Sequence, residues 1–314
     1  MDSKIEHIWI SGTRGFLGKN LKNFLTQKDN FKIKCLSYSG GGKNTIDLEE
    51  GKFNLNFEKQ EEIKKMLDGN KIPDVFIHIG WEDMENPHSE KHVKSNVKAS
   101  KNLIEILFKA GLKKFVFIGS LNEYGDREGS LSEEMSPKGE LTNYAKGKRE
   151  VAKFGFENAE ATKNYFIHVR LSYVFGSIIK KGSLIQTLFE GHQKKIDIFL
   201  GSCQHYRDYI HVSEVVKGIQ EICNINQSTT VNLGSGKSIK VRDFVELFWK
   251  NLGEKSEKLH FSTKPYRNNE QPQPNCYLSL MKLKELTNWS PTLTIDDGTI
   301  QTINELDKNK DDIN

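Results

Sequence analysis

The chain is poor in the features that mark secreted, metal-binding, membrane-spanning or nucleic-acid-binding proteins. Its four cysteines, Cys35, Cys203, Cys223 and Cys276, are scattered and form no Cys-x-x-Cys pair. That argues against a disulfide framework or a metal site and for buried, reduced thiols. No secretory leader is read at the N-terminus, so a cytoplasmic setting is expected. No apolar stretch approaches the roughly 20 residues that a membrane-spanning helix needs, so no membrane partner is expected. Charge is nearly balanced, with 46 basic residues against 42 acidic and a net +4, and there is no strongly basic tract. Nucleic acid is therefore not an expected partner, although a local basic pocket for a diphosphate is compatible with this balance. A length of 314 residues allows a large core in one large or two modest domains.

What is present is alternation. Strand-like runs at Ile8 to Ile10, Phe31 to Ser37, Val75 to Ile79, Phe115 to Ile118 and Tyr165 to Val169 are separated by helical patterns, notably Val93 to Ala110 and Tyr144 to Ala161. This predicts an α/β fold, a doubly wound parallel sheet whose ligand lies at the carboxyl ends of the strands. Past about Leu171 the pattern loosens into Gly- and Lys-rich turns, an amphipathic helix from Val241 to Leu252 and a short strand at Lys258 to Phe261. Residues 1–170 are read as a dinucleotide-binding domain and 171–314 as a smaller α/β substrate-binding lobe. The polar run from Asp307 to Asn314 is expected to fray.

Two local patterns carry chemistry. After the Ile8-Trp9-Ile10 strand, Ser11 to Gly18 read Ser-Gly-Thr-Arg-Gly-Phe-Leu-Gly, and Leu17, Leu21 and Phe24 recur at helical spacing. Strand, glycine turn and helix suit a dinucleotide: Gly12, Gly15 and Gly18 let backbone approach a pyrophosphate, and the helix start around Phe16 and Leu17 offers free N–H groups. The second pattern is Tyr144 and Lys148, four apart and so on one helix face. The Lys148 ammonium beneath the Tyr144 phenol is expected to favour its ionised form and make its proton usable near neutral pH. Ser120 follows the Phe115-Val116-Phe117-Ile118 strand, whose end should deliver its hydroxyl beside the phenol. Together these residues describe an enzyme that moves hydride.

In these motifs the chain resembles the extended short-chain dehydrogenases/reductases that act on nucleotide-activated sugars, over nearly its whole length. Besides Gly-x-x-Gly-x-x-Gly and Tyr-x-x-x-Lys it carries Asp74-Val75-Phe76-Ile77-His78, Ser120 four residues before Tyr124-Gly125, and Arg170-Leu171-Ser172-Tyr173-Val174-Phe175-Gly176. Arg207-Asp208-Tyr209-Ile210-His211-Val212 and Asn232-Leu233-Gly234-Ser235-Gly236 follow. The resemblance implies a Rossmann-like first domain to which segments near 205–235 return, and a nucleotide-diphosphate sugar as substrate. It also implies a homodimer paired through the helices at 93–110 and 144–161. Arg207 and Arg267 would clamp the diphosphate, a task that suits bidentate guanidinium groups. Alternatively Arg207 pairs with Asp208 and Arg267 is a loop charge. Leu121, Asn122 and Tyr173 fall at positions that meet substrate, Tyr173 where the family often has asparagine. His78 and Asn96 are left outside the catalytic set, as structural residues.

The cofactor follows from another absence. An NAD site usually has an acidic residue at the end of the second strand, but Leu36 to Lys43 contain no carboxylate. NADP(H) is favoured, with Arg14 reaching the 2′-phosphate and Ser37, Ser39 and Lys43 as further donors; NAD(H) stays possible, with Ser37 or Ser39 meeting the ribose neutrally. Relatives that remove water from the sugar follow Ser120 with Asp-Glu, where this chain has Leu121-Asn122; Glu123 is one position late. Those that make GDP-fucose use a cysteine and a histidine, here Asn122 and a position near Ser183. What remains is hydride chemistry alone: reduction of a nucleotide-linked 4-keto-6-deoxyhexose, with a 4-epimerase holding NAD as the alternative and a non-catalytic dinucleotide-binding regulator as a second.

Overall fold

The structure is a computed structural model that describes residues 5–28, 30–38, 45–47, 52–177, 182–263 and 275–308. The first half runs β1 (His7–Ser11), α1 (Phe16–Thr26), β2 (Lys32–Tyr38), β3 (Thr45–Asp47), β4 (Lys52–Leu55), α2 (Gln60–Leu67), β5 (Val75–His78) and α3 (Ser95–Lys109). It continues through β6 (Lys114–Ile118), β7 (Gly129–Leu131), α4 (Asn143–Thr162), β8 (Tyr165–Leu171) and β9 (Tyr173–Phe175). The second half comprises α5 (Leu184–Lys194), β10 (Ile198–Phe199), β11 (Tyr206–Arg207), β12 (Tyr209–His211), α6 (Val212–Ile222), β13 (Thr229–Leu233) and β14 (Ile239–Lys240). It ends with α7 (Val241–Asn251), β15 (Leu259–His260), β16 (Cys276–Leu278), α8 (Met281–Thr287) and α9 (Ile295–Lys308).

Eight strands form the main sheet in the order β13-β8-β6-β5-β1-β2-β4-β3. All neighbours run parallel except β3, which is antiparallel to β4. The expected doubly wound α/β sheet is therefore present. From β1 the chain winds outward first through β2 and then, reversing, through β5, β6 and β8, so the switch point lies between β1 and β5. Such a crevice, at the carboxyl ends of the strands, is where open α/β sheets bind ligands.

The side-chain alternation of the strands divides the core cleanly. Ile8, Ile10, Val75, Ile77, Val116, Ile118, Ile167 and Val169 face one side, where Leu21 and Leu25 of α1 and Val215, Val216 and Ile219 of α6 cover them. Trp9, Phe76, Phe115, Phe117 and Phe166 face the other, beneath α2, α3 and α4. One face is thus aliphatic and the other aromatic, with Phe115 stacked between Phe76 and Phe166 at centroid separations of 5.1 and 5.7 Å. Gly155 lets α4 lie close on this layer, since a Cβ there would overlap the Phe166 ring. A third core of Phe189, Phe244, Phe248, Trp249 and Leu306 joins α5, α7 and α9 in the C-terminal half.

Several boundaries differ from the sequence reading. The helix expected from Val93 starts at Ser95, because Glu90–His92 form a 3₁₀ turn capped by Ser89. The strand expected over 258–261 is cut to Leu259–His260 by another such turn at Ser256–Lys258. Asp307 and Lys308 are not frayed but complete α9, whose Ile303 and Leu306 are buried; residues 309–314 lie outside the described residues.

Candidate active site

The glycine turn is shaped by close backbone approaches. Gly12 has φ +81°, and a Cβ on it would come within 2.6 Å of Gly80 N. A Cβ on Gly18 would overlap the Gly12 carbonyl, so this residue lets α1 pack against the turn. Gly15 is different, with φ −78° and nothing nearer to a Cβ than Gly12 O at 3.4 Å. Packing among the described residues does not require glycine there. Gly15 caps α1 without a side-chain hydrogen bond, and the first turn carries no acidic residue. The leading amides, including those of Phe16 and Leu17, therefore lack intrahelical partners and favour an anion. The side chains of Phe16 and Leu17 pack on the aliphatic core. These features fit a dinucleotide diphosphate.

A cleft of about 200 Å³ runs from this turn along the strand ends, lined by Gly12, Arg14, Ser37, Phe57, Gly80, Trp81, Glu82, Ser95, Asn96 and Ala99, with His78 and Ser100 in its wall. His78 is a structural residue. Ser100 donates its hydroxyl to Asn96 O at 2.7 Å and so accepts from His78 Nε2 at 2.9 Å, which leaves Nδ1 to accept from Ser11 at 2.5 Å. Burial, assisted by Lys148, drives the His78 pKa down to about 3, in keeping with a neutral ring. Asn96 holds the Glu82 backbone through both its carbonyl and its amide group, at 3.0 and 3.1 Å.

Ser120, Tyr144 and Lys148 come together next to this cleft. Ser120 caps a short turn, Leu121–Tyr124, immediately beyond β6. Thr142 caps α4, placing Tyr144 and Lys148 on its buried face. The Tyr144 phenol has Ser120 as its polar neighbour, and its ring is held edge-on by Trp81 and His92 at centroid distances of 6.2 and 5.3 Å. Lys148 Nζ donates to Ile118 O at 2.8 Å and lies 3.8 Å from the centre of the Trp81 ring.

The expected effect of Lys148 on Tyr144 is not found in this arrangement. Nζ is 5.8 Å from the Tyr144 ring centre and is engaged by the Ile118 carbonyl and Trp81 instead. Burial pushes the phenol well above the ordinary tyrosine value; the Ser120 hydroxyl opposes this, while Glu123 and Tyr173 add to it. Burial also pulls Lys148 down to about 7, with Glu123 acting in the opposite sense. Tyr144 is therefore a firmly protonated donor, and Lys148 a lysine poised near neutrality.

The wall on the C-terminal side is built from distant segments. Arg207 lies over the Tyr173 ring, its guanidinium carbon 4.2 Å from the ring centre. Arg207 Nη1 is buried without a hydrogen-bond partner among the described residues. Tyr173 reaches Asn122 Oδ1 at 3.3 Å, and Asn122 N donates to Ser120 Oγ at 3.2 Å. Tyr173 thus links the arginine to the turn that begins at Ser120. Leu121, expected to meet substrate, instead turns its side chain into a small core with Tyr124, Leu131, Cys276 and Leu278. The alternative pairing of Arg207 with Asp208 at the surface is also corrected. Asp208 is buried and accepts from Ser235 N and Oγ and from Leu278 N, at 2.7, 2.6 and 3.0 Å. Ser39, Lys43 and Arg267 lie outside the described residues.

The sequence reading missed the segment from Gly80 to His92. Trp81 Nε1 donates to His92 Nδ1 at 2.9 Å, and Tyr144 N donates to Pro87 O at 2.9 Å, so this segment clamps Tyr144. Gly147 is the visible counterpart in α4, because a Cβ there would overlap His92 O.

Sheet, glycine turn and strand-end cleft define a dinucleotide-binding α/β protein. The chain belongs to the NAD dependent epimerase/dehydratase family, which residues 8–234 match. This bears out the resemblance to the extended short-chain dehydrogenases/reductases. The chain is 26% identical to the Bacillus subtilis protein named uncharacterized UDP-glucose epimerase YtcB, over 94% of this chain and 96% of that one. It is 24% identical to the Escherichia coli dTDP-4-dehydro-6-deoxyglucose reductase, over 98% and 99% respectively. Its fold is similar to that of UDP-glucose 4-epimerase from Thermotoga maritima, solved with UDP-glucose, with a TM-score of 0.82 at 19% identity over 96% of this chain and 99% of that one.

The glycine geometry yields a contrast between two substitutions. Gly15→Ala should leave thermal unfolding within a degree or two of wild type while weakening dinucleotide binding by roughly tenfold or more, measured by calorimetry. Gly18→Ala should lower stability by about 1–3 kcal/mol, because its Cβ is driven into the Gly12 carbonyl. Equal losses of stability in both variants would show that Gly15 serves the fold and not the ligand.

Proposed function

We propose that the protein reduces a nucleotide-linked 4-keto-6-deoxyhexose at C4, with NADPH as the favoured reductant. The observation that carries this reading is that Ser120, Tyr144 and Lys148 meet at buried positions next to a cleft lined by the glycine turn. When bound, the dihydronicotinamide supplies hydride. Tyr144, held protonated by burial, donates its proton to the oxygen that becomes negative at C4. Ser120 hydrogen-bonds the same oxygen and stabilises charge that exists only in the transition state. Lys148 engages the nicotinamide ribose. Asn122 and Tyr173 face the sugar, and Arg207, with its buried unpartnered Nη1, takes the diphosphate. The missing carboxylic acid at Leu121 speaks against dehydration. The glycine turn, Gly80 to His92 and the residues up to 170 serve the dinucleotide, and those from 171 onward supply most of the sugar-nucleotide wall, with 205–235 returning to the sheet.

A 4-epimerase is the second reading, supported by the epimerases among the relatives. It would use the same trio to oxidise and re-reduce C4 with retained NAD. Native mass spectrometry of the purified protein separates the two: co-purified NAD indicates the epimerase, and an exchangeable cofactor with turnover of keto-sugars indicates the reductase. Cofactor binding with no turnover across a broad panel would leave a regulator.

In turnover assays Tyr144→Phe should bind cofactor normally but lose roughly two or more powers of ten in kcat, the scale for a positioned proton donor. Activity within a few-fold of wild type would remove Tyr144 from the mechanism. Arg14, which lines the cleft with Ser37, is proposed to contact the 2′-phosphate. Arg14→Ala should therefore raise the Kd for NADPH by roughly one to two powers of ten while barely changing that for NADH. Equal losses for both would assign Arg14 to the turn itself. Finally, α3 and α4 are proposed to pair with their copies in a homodimer. Of the residues exposed on these helices, Lys98, Lys109, Lys146 and Lys153 are basic and Glu150 is acidic, so like charges would meet across the interface and salt, by screening them, should strengthen it. Light scattering at micromolar concentration and moderate salt should give twice the chain mass; monomer mass under those conditions would rule the dimer out.

A further inference from the structure

The catalytic turn rests on a buried charge cluster that the scheme above does not use. Glu123 is fully buried. Its Oε1 accepts from Ser120 N at 2.8 Å and lies 3.1 Å from His168 Nε2, while its Oε2 lies 3.8 Å from Arg170 Nε. Gly119 has no room for a side chain because a Cβ would overlap both the Glu123 carboxylate and the His168 ring. A carboxylate is costly to bury, and it is retained here in direct contact with the backbone of Ser120.

We propose that Glu123 is a positioning residue for the catalytic trio: its carboxylate holds the backbone of Ser120 while Lys148 Nζ holds Ile118 O two residues earlier, so that carboxylate and ammonium grip one short stretch of chain and Glu123 supplies the fixed negative charge near the lysine. The proposal rests on the reading of Tyr144 as proton donor. Burial works to neutralise Glu123, but His168 and Arg170 on β8 outweigh it and hold the carboxyl below the ordinary range, so it stays ionised at neutral pH. On α4 the groups around it are Tyr144 and Lys148, together with Arg149 and Lys153, which line a second cleft that Glu123, His168 and Arg170 also border. Burial lowers Lys148 and raises Tyr144, and Glu123 acts upward on both. The two effects have one sign for reduction: more ammonium at the ribose, and a phenol that keeps its proton until the alkoxide develops.

Glu123→Gln tests this, because the amide oxygen still accepts from Ser120 N while the charge is gone. The titration midpoint of Lys148 in the free protein, followed by NMR of ¹³C-labelled lysine, should fall by roughly one pH unit. The alkaline limb of kcat with a keto-sugar should move to lower pH by a similar interval. An unchanged Lys148 midpoint with kcat reduced equally at every pH would overturn the proposal and leave Glu123 a structural residue. A shifted midpoint with an unmoved limb would overturn its part in the reaction. Should Glu123→Gln fold poorly because Arg170 is left without its counter-charge, the double variant Glu123→Gln/Arg170→Met removes both charges and should still lower the midpoint. The lysine titration needs no substrate. Absence of turnover in wild type would therefore count against the reductase reading and leave the electrostatic role of Glu123 to be decided by the titration.

Discussion

A parallel sheet covered by helices on both faces must be apolar on both, and everything polar is then driven to the strand ends. This constraint governs the molecule. Alternate residues of β1, β5, β6 and β8 divide into an aliphatic face under α1 and α6 and an aromatic face under α3 and α4. Where the strands stop, hydrogen-bonding groups collect within reach of one another: Ser11, His78 and Ser100 beside the glycine turn, and Ser120 and Glu123 beyond β6, the latter reaching back to His168 within β8. The candidate site is the place where the core's exclusion of polar groups ends.

Those polar groups serve two purposes that the structure separates. The Ser11–His78–Ser100 chain is neutral and closed, each hydroxyl and ring nitrogen matched to a partner, and it ties β1 to β5 at the switch point. The Ser120–Tyr144 pair and Lys148 are held differently, by ring edges, a single carbonyl and the Trp81 face. They have directional partners enough to be placed, yet burial shifts both titratable groups away from their ordinary values. Burial rather than the lysine fixes the protonation of Tyr144. The spacing of four residues is real as geometry, but the helix face it defines also meets Trp81 and the end of β6, which compete for the ammonium.

Much of the fold was legible in the sequence because strands buried on both faces leave unbroken apolar runs, as at 115–118, and because glycines mark backbone approaches. The fold also joins residues of separate motifs whose meeting the sequence did not announce. Tyr124 and Asn232, from two separate motifs, bond at 2.7 Å across the end of the sheet. What escaped was set by contacts with no local period. The segment from Gly80 to His92 has no repeat to betray it, and Trp81 reads as an ordinary core residue until α4 is laid against it. Asp208 looked like a surface partner for Arg207 because adjacency in sequence says nothing of direction in a strand, where neighbours point to opposite sides. Leu121 was misjudged likewise: sitting next to Ser120, it faces the other way, into the core it shares with Cys276 and Leu278.

The order in which this wall is assembled along the chain has a consequence for synthesis. The catalytic turn and both helices that support it are complete by residue 162, and the last strand of the sheet by residue 233. The opposing wall is not. Asp208 Oδ2 gains its bond from Leu278 N, Asn232 bonds the carbonyl of Ser279, and β7 finds its parallel partner only in β16. A nascent chain on the ribosome can therefore form the dinucleotide cleft while the face that would receive a sugar is still missing its final segment. A chain released before about that point would carry the Ser120 turn exposed to water, with Asp208 and Asn232 each short of one partner.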